Sequence, residues 1–132
     1  MSVTTEIPDV EYALKKWAQI ALPSLGGRVF FAVPAGTPTL PLAVVSLVGG
    51  TVDEGAAVEY PRVSFRIWAT TKKDASDGRR ALIGSLRALD GDPLDAETFC
   101  YAATDIVSLW LPDDEAKLAS YVVDATLVVR RV

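Results

Sequence analysis

The stretch from Tyr60 to Asp90 constrains the fold most, because it joins a strand pattern to a helix pattern. Its first part alternates apolar and polar residues, the apolar set being Val63, Phe65 and Ile67 and the polar set Arg62, Ser64 and Arg66. An amphipathic helix pattern follows, with Asp74 as the predicted N-cap and Gly91 as the predicted left-handed C-cap. Each apolar face needs a partner, so the helix is expected to pack across a sheet that contains this strand.

The remaining elements are predicted from the same periodicities. A helix is predicted from Asp9, its expected N-cap, to Leu22. Further strands are predicted at Arg28–Val33, at Leu42–Val48 in the centre of the sheet, at Phe99–Leu111 with a bulge near Thr104 or Asp105, and at Leu118–Arg130. Gly49–Ala57 is either a loop or the tip of a long hairpin with Asp53, Glu54 and Gly55 at its turn. Asp92–Glu97 is predicted to be a polar connection.

These elements predict an α+β fold. The expected order is α-β-β-β-α-β-β, with a single mainly antiparallel or mixed sheet of about five strands and two helices packed on it. The length of 132 residues suits one domain spanning residues 1–132.

Composition restricts the classes of function. Hydrophobic residues make up 50% of the chain and the mean hydropathy is +0.26. This excess indicates either a well-filled core or apolar surface buried between subunits. A net charge of −4 argues against general nucleic-acid binding. We identify no secretory signal in Met1–Val10, and the longest mainly apolar stretch, Leu40–Val48, is too short to span a membrane.

The residues that usually carry catalysis and metal binding are missing. The sequence has no histidine and one cysteine, Cys100, which excludes Ser-His-Asp triads, Cys-His pairs, thiolate clusters and intrachain disulfides. It has no P-loop, GxGxxG or GxSxG motif. We therefore predict no catalytic residue, no cofactor and no metal site. The carboxylate pairs Asp53/Glu54 and Asp113/Asp114 are interpreted as exposed turn acids, with an occasional divalent ion as the alternative.

One face of the predicted sheet has an unusual composition. Arg62, Arg66 and Trp68 share it on the third strand, and the last strand adds Val122, Asp124, Thr126 and Val128 if it pairs nearby. A protein interface combines large apolar groups with charges in this way; a cover formed by the first helix or by a loop is the alternative. We expect an exposed Trp68 and Arg66 to act in assembly and not in folding.

A second arginine pair lies on the predicted second helix. Arg79 and Arg80 would face an anionic partner, solvent, or an ion pair between subunits. The candidate interface residues are Arg62, Arg66, Trp68, Asp53, Glu54, Arg79 and Arg80.

The order of elements resembles that of the tail terminator, or tail completion, proteins of long-tailed bacteriophages. The segments that carry the resemblance are the helix Asp9–Leu22, the strand after Gly26-Gly27, the strand Pro61–Thr70 leading into Asp74–Leu89, the strand Asp105–Trp110 with its acidic turn, and Tyr121–Val129. The resemblance implies a protein without catalytic residues that forms a homo-oligomeric ring, commonly hexameric. Such a ring caps the finished tail tube and offers a surface to the head–tail connector.

The resemblance also implies partners and a location. They are further copies of the chain, the tail tube protein and the connector protein, in a virion tail assembled in the host cytoplasm, with no specific nucleic acid and no membrane partner. Alternative interpretations are a neck or head-closure protein, and a small dimeric ligand-binding or regulatory α+β module. An enzyme is disfavoured because the usual acid–base and nucleophile sets are missing. Tail-tube and tape-measure genes beside this one would favour the first interpretation.

Overall fold

The computed structural model of the chain describes residues 7–53 and 58–132. Two helices and six strands alternate in the order α-β-β-β-α-β-β-β. The elements are α1 Val10–Ala21, β1 Val29–Phe30, β2 Leu42–Asp53, β3 Val58–Ala69, α2 Lys72–Arg87, β4 Asp90–Pro93, β5 Thr98–Trp110 and β6 Ala119–Arg131, with a short 3₁₀ turn at Pro23–Leu25. The predicted α+β fold, with one sheet and two helices, is confirmed.

The strands form one mixed sheet in the order β1-β2-β3-β6-β5-β4. β1 is parallel to β2, and every other pair is antiparallel. The centre of the sheet is the long β3–β6 pair, so the expectation that Leu42–Val48 is central is wrong. β2 lies second from one edge of the sheet. The edge strand β1 pairs with it only at Ala43 and Val44.

Both helices pack on the same face of the sheet, and the core lies between the two layers. The alternation predicted for β3 holds, since Val63, Phe65 and Ile67 are fully buried. The opposing residues of β6 and the inner stripes of the helices complete the cluster, with Val123, Ala125, Leu127, Val129, Leu14, Leu82 and Leu86 at its centre. Each large apolar side chain removed from water here contributes about 1.5–3 kcal/mol to stability.

The helix termini confirm one predicted cap and correct two. Asp9 caps α1, and its Oδ1 accepts a hydrogen bond from the Tyr12 amide at 3.1 Å. Asp74 is not the N-cap of α2. The cap is Thr71, whose Oγ1 accepts from the Asp74 amide at 3.2 Å, so Asp74 lies in the first turn, where its charge favours the positive helix end. α2 ends at Arg87; Gly91 has a positive φ of 69° but lies in β4 and caps nothing.

The strand boundaries differ from the predicted ones at three places. The first strand is only Val29–Phe30, because the proline-containing chain after it leaves the sheet. The hairpin interpretation of Gly49–Ala57 is favoured by the pairing, which continues to Asp53 opposite Val58; Glu54 and Gly55 lie outside the described residues. The predicted polar connection contains β4, in which Asp92 pairs with Cys100.

The bulge predicted in the fourth strand is present. The β5–β6 register shifts between Thr104 and Val107, and Asp105 has a positive φ of 50°. A second shift lies between Cys100 and Ala102. The first bulge returns Val107 to the face of Thr104 while Ile106 packs against the core, which resolves the conflicting alternation of this strand.

Two glycines of α2 provide a test of helix packing. A Cβ at Gly84 would meet no atom within 4 Å, whereas a Cβ at Gly78 would lie 3.2 Å from Cγ2 of buried Ile67. Gly84→Ala should raise the free energy of unfolding by about 0.5–1 kcal/mol, because alanine loses less backbone entropy in a helix. Gly78→Ala should gain less or lose stability, since Ile67 must shift. Thermal melting checks both, and equal gains would contradict close packing of Gly78 on β3.

Candidate interaction surface

The face of the sheet opposite the helices, called the open face below, carries the polar residues of β3 and β6. The strand pairing sets Arg62 opposite Thr126, Ser64 opposite Asp124, and Arg66 opposite Val122. Most of these side chains are half-buried. The expectation that these two strands place their mixed apolar and charged residues on one shared face is confirmed.

Arg62 ties three strands together across the open face. Its Nη1 donates to the Thr126 hydroxyl on β6 at 3.0 Å and to the Asp105 carbonyl in the β5 bulge at 3.0 Å. A bulge leaves backbone groups outside the ladder, so this carbonyl can accept from a side chain. Arg62 therefore links β3 to β6 and β5 through side-chain hydrogen bonds.

Arg66 is held in a similar way at the other end of the face. Its Nε donates to the Ser120 hydroxyl at 2.8 Å, its Nη2 donates to the Leu111 carbonyl at 3.3 Å, and its guanidinium lies 4.6 Å from the ring centroid of Trp68. Ser120 is fully buried, so its hydroxyl depends on partners within the protein. The predicted Arg66–Trp68 pair exists, but its arginine also has a structural task.

Trp68 is not exposed. Only 9% of its surface reaches solvent, and it lines an apolar cavity of about 230 Å³. The cavity is also lined by Val33, Pro38 and Leu40 of the proline-containing loop, and by Ala116 and Leu118 of the turn before β6. The expectation of an exposed Trp68 is wrong, because this loop covers its end of the open face. Of the two covers considered for this face, the loop is the one present over Trp68.

Asp124 lies between the two arginines without an ion pair to either. It is half-buried opposite Ser64, and its Oδ1 has no hydrogen-bond partner among the described residues. Both guanidinium groups have backbone carbonyl and hydroxyl acceptors instead. The open face therefore carries a buried carboxylate oxygen without a hydrogen-bond partner among the described residues.

Arg79 and Arg80 lie on the helix side, away from the open face. Arg79 donates through Nε to the Ser108 hydroxyl of β5, and its guanidinium lies 5.3 Å from the ring centroid of Tyr121. Arg80 is largely exposed, with Nη1 3.8 Å from Oδ1 of Asp77. Asp53 ends the β2 arm of the hairpin, and Glu54 lies outside the described residues. The candidate residues thus form no single cluster, and their roles in an interface stay predictions.

The exposed apolar residues along β5 are not among the candidates predicted from the sequence. Val107 is 54% exposed and Leu109 57%, and Trp110 and Leu111 are also exposed. Val107 and Leu109 lie on the open face opposite Asp124 and Val122. The bulge predicted near Asp105 could have indicated this exposure, because it puts Val107 and Leu109 on a face that the helices do not cover.

Two buried titratable groups lie on the core side. Burial raises the pKa of the Cys100 thiol to about 11, so the thiol stays protonated and unreactive at neutral pH. Glu59 is 8% exposed between Val52 and Val129, and burial raises its pKa. Its Oε1 has no hydrogen-bond partner among the described residues.

The described residues contain neither a metal-binding cluster nor a helix that could span a membrane. Within residues 7–53 and 58–132, no group of three or more cysteine, aspartate or glutamate side chains is arranged to hold a metal ion. No helix in the same part of the chain has the length and apolar character needed to cross a membrane.

Comparisons with known proteins identify a structural neighbour. No family model and no curated protein sequence matches the chain. A chain from a solved structure, the virion of a native gene transfer agent (GTA) particle, matches it with a TM-score of 0.55 and 19% sequence identity. The match covers 93% of this chain and 97% of that chain. At this identity the likeness shows a common fold over nearly the full length of both chains.

Trp68→Ala should destabilise the folded protein. Removing a buried indole and enlarging the existing cavity costs about 3–5 kcal/mol of unfolding free energy. Arg66→Ala should cost less, because it removes hydrogen bonds and a cation–π contact but no large buried volume. Urea unfolding of both variants measures the difference. A Trp68→Ala protein as stable as the wild type would contradict the burial of Trp68.

Glu59→Gln should stabilise the protein at neutral pH. A raised folded-state pKa means that the folded chain binds this proton more tightly than the unfolded chain. Stability therefore falls as pH rises above the ordinary value of 4.5, and the loss is complete above the folded-state pKa. Glutamine carries no charge, so its advantage should be present at pH 7 and absent below pH 4.5. Melting curves at both pH values check this.

Glu97→Gln is the matched control, because Glu97 is exposed near the start of β5. It should melt like the wild type at both pH values. A Glu59→Gln variant that is less stable than the wild type at pH 7 would mean that the carboxylate makes a favourable contact there.

Proposed function

We propose that this chain is a structural protein of a virion and, within that class, a tail terminator. In this role it forms a ring on the finished tail tube and joins the tube to the head connector. The observation that carries the proposal is the fold shared over nearly the whole of both chains with a chain of a gene transfer agent virion. The order of elements that resembles the tail terminator family supports the finer assignment.

The surface chemistry suits an assembly role. Arg62 and Arg66 on the sheet are engaged in hydrogen bonds that hold strands together, and the single thiol is buried and protonated. Large apolar side chains are exposed on two separate strands, at Leu47 and Val48 of β2 and at Val107 and Leu109 of β5. A protein that is buried among copies and partners in a particle has a use for such surface.

The ring is expected to be homo-oligomeric and commonly hexameric, as in the family that the chain resembles. Identical subunits that associate head to tail close into a ring when the rotation between neighbours completes a circle. The tail tube protein and the head connector are the proposed partners on the two sides of that ring.

Deleting the gene from the genome that produces the particle tests the function. Without a terminator, tubes should grow past their normal length and full heads should remain without tails, because nothing caps the tube or joins it to the head. Electron microscopy of the lysate measures tube length and the fraction of joined particles. A plasmid copy of the wild-type gene should restore both.

Two other outcomes of the deletion are informative. Tails of normal length that stay separate from heads would favour the neck or head-closure role and contradict termination. Intact, infectious or transfer-competent particles would contradict the virion role altogether.

A further inference from the structure

Two long stretches of sheet edge have no strand partner among the described residues. β1 covers the outer side of β2 only at Ala43 and Val44, and β4 covers the outer side of β5 only from Phe99 to Ala102. We name residues 46–53 the β2 edge and residues 103–110 the β5 edge. The two edges lie at opposite ends of the same sheet.

The two edges lack the residues that usually protect a free edge strand, although the Leu47 amide of the β2 edge is bonded to the Glu11 carboxylate. Proteins commonly place lysine or proline on a free edge strand, and neither residue occurs in 46–53 or 103–110. Both edges instead expose apolar side chains. Leu47, Val48 and Val52 are 44–55% exposed, and Val107, Leu109 and Trp110 are 37–57% exposed. Exposed backbone groups flanked by apolar side chains form a template for another strand.

The geometry of the two edges is matched. β2, β3, β6 and β5 each run antiparallel to the next, so β5 runs antiparallel to β2. A second copy placed beside the first without inversion therefore presents its β2 edge antiparallel to the β5 edge.

The ends of the sheet are stepped in complementary ways. β1 projects beyond β2 at the level where Arg66 pairs with Val122. β4 projects beyond β5 at the opposite level, where Cys100 pairs with Val129. Direct pairing of the two uncovered parts therefore displaces the second copy along the strand direction, so that its β1 lies beyond the Trp110 end of β5 and β4 lies beyond the Asp53 end of the neighbouring β2.

The charges on the helix side of the two edges are opposite. At the β5 edge, Arg79 donates to Ser108, and Lys72 lies 4.6 Å from the ring centroid of Trp110. At the β2 edge, Glu11 of α1 accepts a hydrogen bond from the Leu47 amide at 2.7 Å. Side-by-side copies bring cations of one α2 towards the acid of the next α1.

We propose that the β5 edge of one copy pairs with the β2 edge of a second copy, head to tail and antiparallel, so that the sheet continues from subunit to subunit. This interface deepens the proposed function, since it names the surfaces that would join the ring. It leaves the Trp68 end of the open face and the exposed outer faces of the helices for other partners.

Cross-linking with two single-cysteine additions tests this arrangement. Thr51 and Val107 lie on the open face at opposite edges, and they are opposed when residues 46–53 of one copy pair with residues 103–110 of the next without overlap of β1 or β4. Directly opposed residues of antiparallel strands have Cβ atoms about 4.5–5.5 Å apart. A mixture of Thr51→Cys and Val107→Cys proteins, treated with a short bismaleimide, should yield a covalent dimer that neither protein yields alone. The double variant should yield a ladder ending at the size of the ring.

The cross-linking is run on concentrated purified protein and on particles from the deletion strain complemented with the double variant. The wild type, whose Cys100 is buried, is the blank. Self-linking of either single variant would indicate a two-fold interface and overturn the proposal. Joined particles without cross-links would overturn this interface while the terminator role stands. If the double variant gives neither joined particles nor cross-links while the wild-type gene complements the deletion, the interface is overturned. The tube lengths of the deletion strain then decide whether the terminator role also fails.

A lysine on the β5 edge provides an independent test. Leu109→Lys should weaken assembly by at least about tenfold in midpoint concentration, because a charge is buried beside the neighbouring strand. Ile20→Lys is the matched control, since Ile20 is a large apolar residue that is 84% exposed on α1 and belongs to neither edge. Both variants should melt like the wild-type monomer. Equal assembly midpoints for the two variants, read by sedimentation, would overturn the proposal.

Discussion

The antiparallel pairing of β3 with β6 is the interaction on which the rest of the structure depends. It sets Val63 opposite Ala125 and Phe65 opposite Val123, so the two strands bury a common apolar face under the helices. A register slip of one residue would move this face into solvent and the arginines into the core. The composition of the open face is therefore a direct consequence of the same register.

The open face shows how a sheet is stabilised where no helix covers it. Arg62 and Arg66 lie flat across neighbouring strands and donate to hydroxyl and carbonyl groups of β5, β6 and the turn between them. Such charge-assisted hydrogen bonds are worth about 1.5–3 kcal/mol each when partly buried. Because these donors are already used within the protein, they are not available to a partner protein. The apolar edges are therefore better candidates for assembly contacts than these arginines.

The two edges follow from the connectivity of the chain. The loop between β1 and β2 turns away after two paired residues and covers Trp68 instead, and β4 ends at Pro93 after four residues. Both terminal strands are thus too short to cover their neighbours. Association between copies can satisfy the same backbone groups that a longer edge strand would have satisfied within one copy.

The sequence by itself determined the elements whose signals are local. Alternation gave β3 and β6 with their correct faces, helical spacing gave α1 and α2, and the conflicting alternation of residues 99–111 gave the bulge near Asp105. It placed the start of α2 and the role of Gly91 wrongly, because Thr71 and Asp74 are both good capping residues and a glycine with positive φ serves in a strand as well as at a helix end.

The tertiary structure alone decided what covers each surface. Trp68 is on the predicted face, yet its burial depends on a loop 30 residues earlier in the chain, which no periodicity of β3 encodes. β4 has no strand signal of its own, and it is extended because the edge of β5 offers it hydrogen bonds. The exposure of Val107 and Leu109 likewise depends on where the sheet ends. Faces are set by neighbours in sequence, whereas covers and edges are set by which distant segments the fold brings alongside.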